Sequence, residues 1–315
     1  MVEQNLHVIL GTGPVGCWIA RALRSMDYPV RVVNRSGKQP DLLPSDVDFV
    51  KADISDPQQA IKAVNGAATI YQALNPPYNK WGELFPGLQT SAMAAAKASG
   101  ARYVSIENLY MYDSSKPITE DSPQTPRSKK GELRKIMGEE VITAHRKGEI
   151  QATTLRSSDY YGPGVTNSAM GERFFGNLVS KKKAQLMGSD TTPHSWAYIE
   201  DVGKAAAILG TNEKALGQVW ITPHAEPVSQ GEMLRMAARE LGIEGKGSVM
   251  GTFMMWLGGL FVPQARASVE MMYEFNAPFV VDSSNFEQTF KMQATSILKG
   301  IKTTALWYMS RSVLE

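Results

Sequence analysis

The sequence predicts an α/β protein built on a doubly wound parallel sheet, with a smaller, discontinuous substrate domain toward the C-terminus. Three observations carry this expectation. Short apolar runs alternate with helical spacings from Leu6 to Ser105, a glycine-rich turn joins the first run to the first helix, and the regular pattern breaks up after Tyr161-Gly162-Pro163-Gly164. Strands that alternate with helices at short spacing pair in parallel, because each return crossing needs a helix to carry it back over the sheet.

Leu6-His7-Val8-Ile9-Leu10 is apolar and stops at Gly11, as a buried parallel strand does. Val15 to Met26 places Val15, Ile19, Ala22, Leu23 and Met26 on one helical face. Val30 to Val33 reads as a second strand and Phe49-Val50 as a short third. A helix over Pro57–Val64 starts with proline in its first turn, where the missing N–H costs nothing. Ala68 to Tyr71 is the fourth strand, Trp81 to Ser99 a helix ended by Gly100, and Ala101 to Ser105 the fifth strand. A long helix over Ser128–Lys147 and a strand over Ala152–Arg156 complete the regular part. This arrangement is of the Rossmann type. Residues 1–160 are assigned to it, completed by part of 195–225, and 161–315 to the substrate side.

Composition narrows the function classes. In 315 residues, 33 Lys and Arg stand against 31 Asp and Glu, a formal net charge of +2. That balance predicts no sequence-wide pull toward nucleic acid or an anionic membrane. Cys17 is the only cysteine, so an intrachain disulfide framework is excluded. The N-terminus shows no basic segment with an apolar core, and the apolar stretch at 253–262 is shorter than a spanning helix requires, so a cytoplasmic protein is expected. His7, His145, His194 and His224 are scattered without metal-ligand spacing, and no metal is expected.

Gly11-Thr12-Gly13-Pro14-Val15-Gly16 sits directly between a strand and a helix. The first glycine permits the tight turn, the second lets the backbone approach a pyrophosphate, and the third lets the helix pack on the strand. Backbone N–H groups and the positive helix end then hold the phosphates. After the second strand an NAD binder carries an acid for the ribose hydroxyls, but here the chain reads Asn34-Arg35-Ser36. No carboxylate repels a 2′-phosphate there, and Arg35 offers it a planar fork, so NADP(H) is expected over NAD(H).

Further segments resemble the extended and atypical short-chain dehydrogenase/reductases, the NAD-dependent epimerase/dehydratase group. Ala52-Asp53-Ile54 is similar to the family's adenine-side segment, and Tyr71-Gln72-Ala73 to the strand end that passes beside the cofactor. Leu155 to Gly164 resembles the family's Arg-Pro…Tyr-Gly-Pro-Gly stretch, and His194 to Val202 its late strand leading into an Asp-Val helix start. The resemblance implies a nicotinamide cofactor held by Gly11 to Gly16, Asn34, Arg35, Ser36, Asp53, Ile54, Ala73 and Lys135. It also implies substrate contacts from Tyr160, Tyr161 and His194.

The family's Tyr-x-x-x-Lys pair falls, by this resemblance, on Gly131 and Lys135. The lysine is kept and the tyrosine is lost, and a glycine has no group to exchange a proton. The family's serine or threonine falls at Ile106, beside Ser105, with Glu107 and Asn108 following. Three readings stay open. One is an enzyme whose acid/base is rearranged, with Tyr110 as proton donor, Lys135 on the ribose and Asn108 orienting substrate or water; Tyr112 and Glu107 lie in the same region. A second is hydride transfer that needs little protein proton chemistry. The third is a dinucleotide sensor or scaffold without turnover. The leading expectation is reduction of a carbonyl or activated alkene of an apolar small molecule, with a sugar-nucleotide epimerase or dehydratase as the alternative.

Asn75 to Trp81 is a rigid turn with two aromatics past the fourth strand, which makes Tyr78 and Trp81 pocket candidates. Sixteen methionines, several of them at Met250–Met255 and Met271-Met272, suggest an adaptable apolar surface: a lid hinged at Gly258-Gly259, a homodimer interface, or core. Lys181-Lys182-Lys183 reads as a solvated run. A small-molecule substrate is the expected partner.

Overall fold

The computed structural model describes residues 5–258, 260 and 263–312. In chain order the first elements are β1 (Leu6–Leu10), α1 (Pro14–Ser25), β2 (Val30–Asn34), β3 (Asp48–Lys51), α2 (Pro57–Ala63), β4 (Ala67–Gln72), α3 (Trp81–Ser99), β5 (Arg102–Asn108), α4 (Lys129–Arg146) and β6 (Gln151–Ser157). Then follow β7 (Tyr160–Tyr161), α5 (Asn177–Val179), β8 (Ala184–Met187), β9 (Ala197–Tyr198), α6 (Ile199–Thr211), β10 (Val219–Ile221), α7 (Gln230–Leu241) and β11 (Gly247–Met250). The chain ends in α8 (Thr252–Gly258), α9 (Pro263–Ser268), α10 (Tyr273–Asn276), α11 (Ser284–Phe290) and α12 (Ile297–Ser312).

The chain divides into two compact units, 1–111 with 130–156 and 202–222, and 112–129 with 157–201 and 223–315. The stretch 112–129 therefore leaves the first unit, which the sequence reading had taken as continuous to 160.

The first unit is a seven-stranded sheet in the order β10-β6-β5-β4-β1-β2-β3, with parallel pairing at β1–β2, β1–β4, β2–β3, β4–β5 and β6–β10. Successive strand side chains point to opposite faces, so one strand serves two helical layers. Val8 and Leu10 pack with Ala60 of α2, Ala92, Ala95 and Ala96 of α3, and Val141 of α4. On the other face Ile9 lies beside Gly16 of α1, and Tyr71 of β4 lies against Gly210 of α6. Alanine and glycine at these crossings let helix backbones approach the sheet closely. α2 is capped by the Asp56 carboxylate, which accepts from the N–H groups of Gln58 and Gln59. α3 stops at Gly100, whose φ of +69° is open to glycine at little cost.

The second unit carries two small sheets, β8–β11 and β7–β9. Its core gathers Phe174, Phe175, Leu178, Trp196, Met233, Phe275 and Ile301. Side-chain bonds across long stretches of chain hold it. The Asp201 carboxylate accepts from Thr295 N at 2.6 Å and Thr295 Oγ1 at 2.9 Å, and Tyr308 Oη donates to the Val165 carbonyl at 2.8 Å. Of the predicted apolar segment, Gly259, Phe261 and Val262 lie outside the described residues.

Candidate functional site

The turn after β1 is shaped by three glycines with three different reasons. Gly11 has φ +110°, and a Cβ there would meet the Ala73 carbonyl oxygen at 2.7 Å. Gly16 sits so close that a Cβ would lie 2.1 Å from the Gly11 oxygen, so the helix rests on the turn itself. Gly13 is the opposite case: nothing lies within 4 Å of its Cβ position. Its φ of −66° is ordinary, and it forms the start of α1 with no side chain capping the end. Gly13 thus leaves open space beside the first turn of α1. An uncapped helix N-terminus facing that gap fits the pyrophosphate of a dinucleotide.

The loop after β2 is held by Asn34, whose Nδ2 donates to Thr12 Oγ1 and to the Lys38 carbonyl, both at 2.9 Å, while its Oδ1 accepts from Gly37 N at 2.8 Å. Asn34 therefore ties the β2 loop to the phosphate turn. Arg35 and Ser36 project exposed beside it. Asp53 is partly exposed, and Ser55 bonding followed by the Arg35 charge holds its carboxyl below the usual range. Ile54 is buried. Ala73 N donates to the Leu10 carbonyl at 2.9 Å, which extends the β1–β4 ladder to the glycine turn.

On the β5 side of the same unit, an aromatic cluster lies against α4. Trp81, Phe85 and Met137 form it, with Tyr78, Tyr110 and Leu133 packed on them. Trp81 is buried, stacks with Tyr110 at 6.1 Å, and donates its Nε1 to the Pro76 carbonyl at 3.1 Å. Tyr78, Tyr110, Asn108 and Lys135 are partly exposed. Asn108 Oδ1 accepts from Tyr110 N at 3.4 Å.

The sequence profile of the NAD dependent epimerase/dehydratase family matches residues 8–220. The chain belongs to this family. A comparison with curated proteins finds no match. Among solved structures the chain is similar to the UDP-glucuronic acid 4-epimerase of Bacillus cereus, solved with UDP-glucuronic acid and NAD, at 17% identity and TM-score 0.78 over 97% of this chain and 99% of that one. An epimerase of Methanothermobacter thermautotrophicus gives TM-score 0.82 at 14% identity over 98% and 94%. The dTDP-glucose 4,6-dehydratase of Bacillus anthracis, solved with NAD, gives TM-score 0.80 at 13% identity over 98% and 97%. At such identities the likeness is one of fold.

Within this family member, several predicted site residues stand elsewhere than expected. Glu107 is no free acid: β5 runs on to Asn108 and carries Glu107 into the sheet, where its Oε2 meets Arg156 Nε at 3.0 Å and its Oε1 accepts from Ser105 Oγ at 3.1 Å. Both partners of the ion pair are buried. Tyr112 is buried and donates to the Glu120 carbonyl at 3.2 Å, which takes it out of the acid/base set. Tyr161, expected at the substrate, is buried in the second unit against Gly300 and Tyr198, and is a packing residue there. Tyr160 remains partly exposed at the start of β7. His194 is buried between Trp196, Phe275 and Phe279, with its Nε2 3.1 Å from Asp159 Oδ2, so its ring serves an internal pair. Cys17 is buried, and burial lifts its thiol to about 11, which removes it as a nucleophile.

Sequence reasoning missed Lys130, Arg134 and Glu274. Lys130 and Arg134 are buried cations one turn apart on α4; Lys130 Nζ lies 4.5 Å over the Tyr78 ring, and Arg134 lies 4.7 Å over Phe85 while donating to the Ile106 carbonyl. The i, i+4 spacing was visible in the sequence, but cations on a helix are normally read as its wet face. Glu274 is buried, and burial and the Asp159 charge push its carboxyl well above the usual range.

Proposed function

We propose that this chain binds NADP(H) at the Gly11–Gly16 turn and moves a hydride to or from an oxygen-bearing carbon of its substrate, with a nucleotide-linked sugar as the substrate class. The open space at Gly13, before an uncapped helix start, is the observation that carries the cofactor half of the reading. Exposed Arg35 beside Asn34 supports the 2′-phosphate preference, since the stretch 34–38 at the end of β2 offers a guanidinium and no acid. The substrate class rests on the family and on neighbours solved with nucleotide-linked sugars.

When bound, the nicotinamide supplies the hydride acceptor or donor. Lys135, on α4, would hold the ribose. With Gly131 in the tyrosine's place, Tyr110 as its phenolate would take the proton of the substrate hydroxyl as hydride leaves the carbon that bears it, or as the phenol would return that proton in the reverse direction, and Asn108 would orient the substrate oxygen. The cluster of Tyr78, Trp81 and Tyr110 favours a second reading, in which the substrate is a flat apolar carbonyl compound or activated alkene.

Fluorescence titration with NADPH and NADH, followed by turnover assays on nucleotide-linked sugars and on aldehydes, ketones and quinones, tests both readings. Arg35→Ala is expected to weaken NADPH by about tenfold to a hundredfold and leave NADH unchanged. Tyr110→Phe is expected to lower kcat by at least about a hundredfold with dinucleotide affinity intact. Full activity in Tyr110→Phe removes Tyr110 as proton donor. Tight NADPH binding with no turnover on any substrate assigns the chain to dinucleotide sensing.

A further inference from the structure

Residues 247–265 contain no Asp, Glu, Lys or Arg, and Lys246 and Arg266 bound them. In the second unit this stretch begins with β11 and continues through α8. On α8 the apolar side chains face the wrong way for a soluble protein. Phe253 is 72% exposed, Met254 59%, Trp256 52% and Leu257 47%, while Met255 alone turns inward at 4%. At about 100° per residue, the four exposed side chains share an arc of roughly 160°. Leu260 adds to it at 60% exposure. A helix that turns a contiguous aromatic and aliphatic arc outward has a partner to cover it.

A run of three cations belongs to the same unit. Lys181, Lys182 and Lys183 are all exposed and lead directly into β8. β8 pairs in parallel with β11, Ala184 opposite Gly247, and Ala184 N donates to the Lys246 carbonyl at 2.8 Å. The lysine triplet therefore sits at the start of the two-stranded ribbon whose far end feeds α8. Asn177 links the two: Lys182 N donates to its carbonyl at 2.8 Å, its Nδ2 donates to the Lys183 carbonyl at 3.2 Å, and it lines a shallow groove of about 370 Å³ with Glu172, Arg173, Met250, Met254 and Met255. Nearby acids are matched by other cations. Glu172 lies 3.4 Å from Arg311, and Glu244 lies 2.9 Å from Lys246.

We propose that this face docks on an anionic lipid bilayer, with α8 lying in the interface and the lysine triplet over the headgroups. Phe253, Trp256 and Leu257 would enter the acyl boundary, and the lysines at the other end of the ribbon would reach anionic phosphates. Among the described residues no helix is long and apolar enough to cross a membrane, so the contact is one of lying on the surface. A bilayer is favoured over a second copy because anionic phosphates at its surface give the lysines a partner. The whole-chain charge of +2 hides the patch, since it averages three adjacent lysines with acids placed elsewhere. The inference stands apart from the dinucleotide reading.

Flotation of the full chain with vesicles of phosphatidylcholine, alone or mixed with phosphatidylglycerol, tests it. The parent is expected to float with the mixed vesicles, and less so as salt rises. Phe253→Ser with Trp256→Ser, and separately Lys181→Ser with Lys182→Ser and Lys183→Ser, should each lower the partition coefficient at least about tenfold. All five side chains are exposed, so unchanged circular dichroism is expected; if the aromatic pair fails to fold, the lysine variant and the salt series carry the test. No flotation with the mixed vesicles, equal flotation with both compositions, or variants that match the parent overturn the proposal. A dimer in light scattering that the aromatic variant dissolves also overturns it, in favour of a second copy.

Discussion

The two units are held together by different kinds of order. In the first, strands alternate with helices along most of the chain, as in β1–α1–β2 and β3–α2–β4–α3–β5, and the buried Glu107–Arg156 pair joins two strands of the sheet. In the second, the strands are short, and positions far apart in the chain are pinned by single side chains such as Asp201, Tyr308 and Ser195, whose Oγ accepts from Val281 N at 3.0 Å. Local periodicity therefore writes out the first unit almost completely, while the second depends on pairings that no window of sequence contains. The phosphate turn belongs to the first kind of order, and the outward-facing α8 to the second.

The sharpest way to break this contrast is to remove a carboxylate from the sheet unit. Glu107→Leu leaves Arg156 buried without its anion, and is expected to cost about 3–5 kcal/mol in urea unfolding. A cost near zero would mean that the pair is no anchor of the sheet.

The two units also differ in how acid and base act on them. Burial, with the Arg102 charge, holds His7 down at about 4 against its ordinary 6.5, and its Nδ1 lies 2.9 Å from Tyr71 Oη. The folded sheet keeps His7 neutral while the unfolded chain takes up a proton, so stability falls as pH drops from 6.5 toward 4, by up to about 3 kcal/mol. Glu274 acts in the opposite sense. The fold keeps a proton that the unfolded chain releases above 4.5, so the second unit loses stability as pH rises. Urea midpoints across this range should show His7→Gln flattening the acid limb and Glu274→Gln the neutral one.

A smaller effect is expected at the long-range clamp of the second unit. Asp201→Ala removes both bonds to Thr295 and should cost about 1.5–3 kcal/mol, with no change in dinucleotide affinity.

What the sequence made legible follows the same division. β1 and α3 fall on Leu6–Leu10 and Trp81–Ser99, the spans that apolar runs and Gly100 mark out. The tight turn at Gly11 and the close helix packing at Gly16 were in plain view in the glycine motif. Glu107 looked free because its partner, Arg156, lies on another strand, and β5 runs past the expected end at Ser105. Tyr161 looked like a lining residue because the Tyr-Gly-Pro-Gly stretch resembles a ligand loop, yet Gly300, far along the chain, is what receives it. The apolar run around Phe253 and Trp256 left a lid, an interface and core open, because composition does not say which side chains turn outward.

Calorimetric titration of the parent and Gly13→Ala with NADPH tests the central claim most directly. Gly13 has an ordinary φ and an empty Cβ position, so the variant should melt at the parent's temperature without ligand. Its added methyl group enters the space assigned to the pyrophosphate, and affinity should fall by about tenfold or more. Equal affinity in the two proteins, or no dinucleotide binding by the parent, would contradict the account.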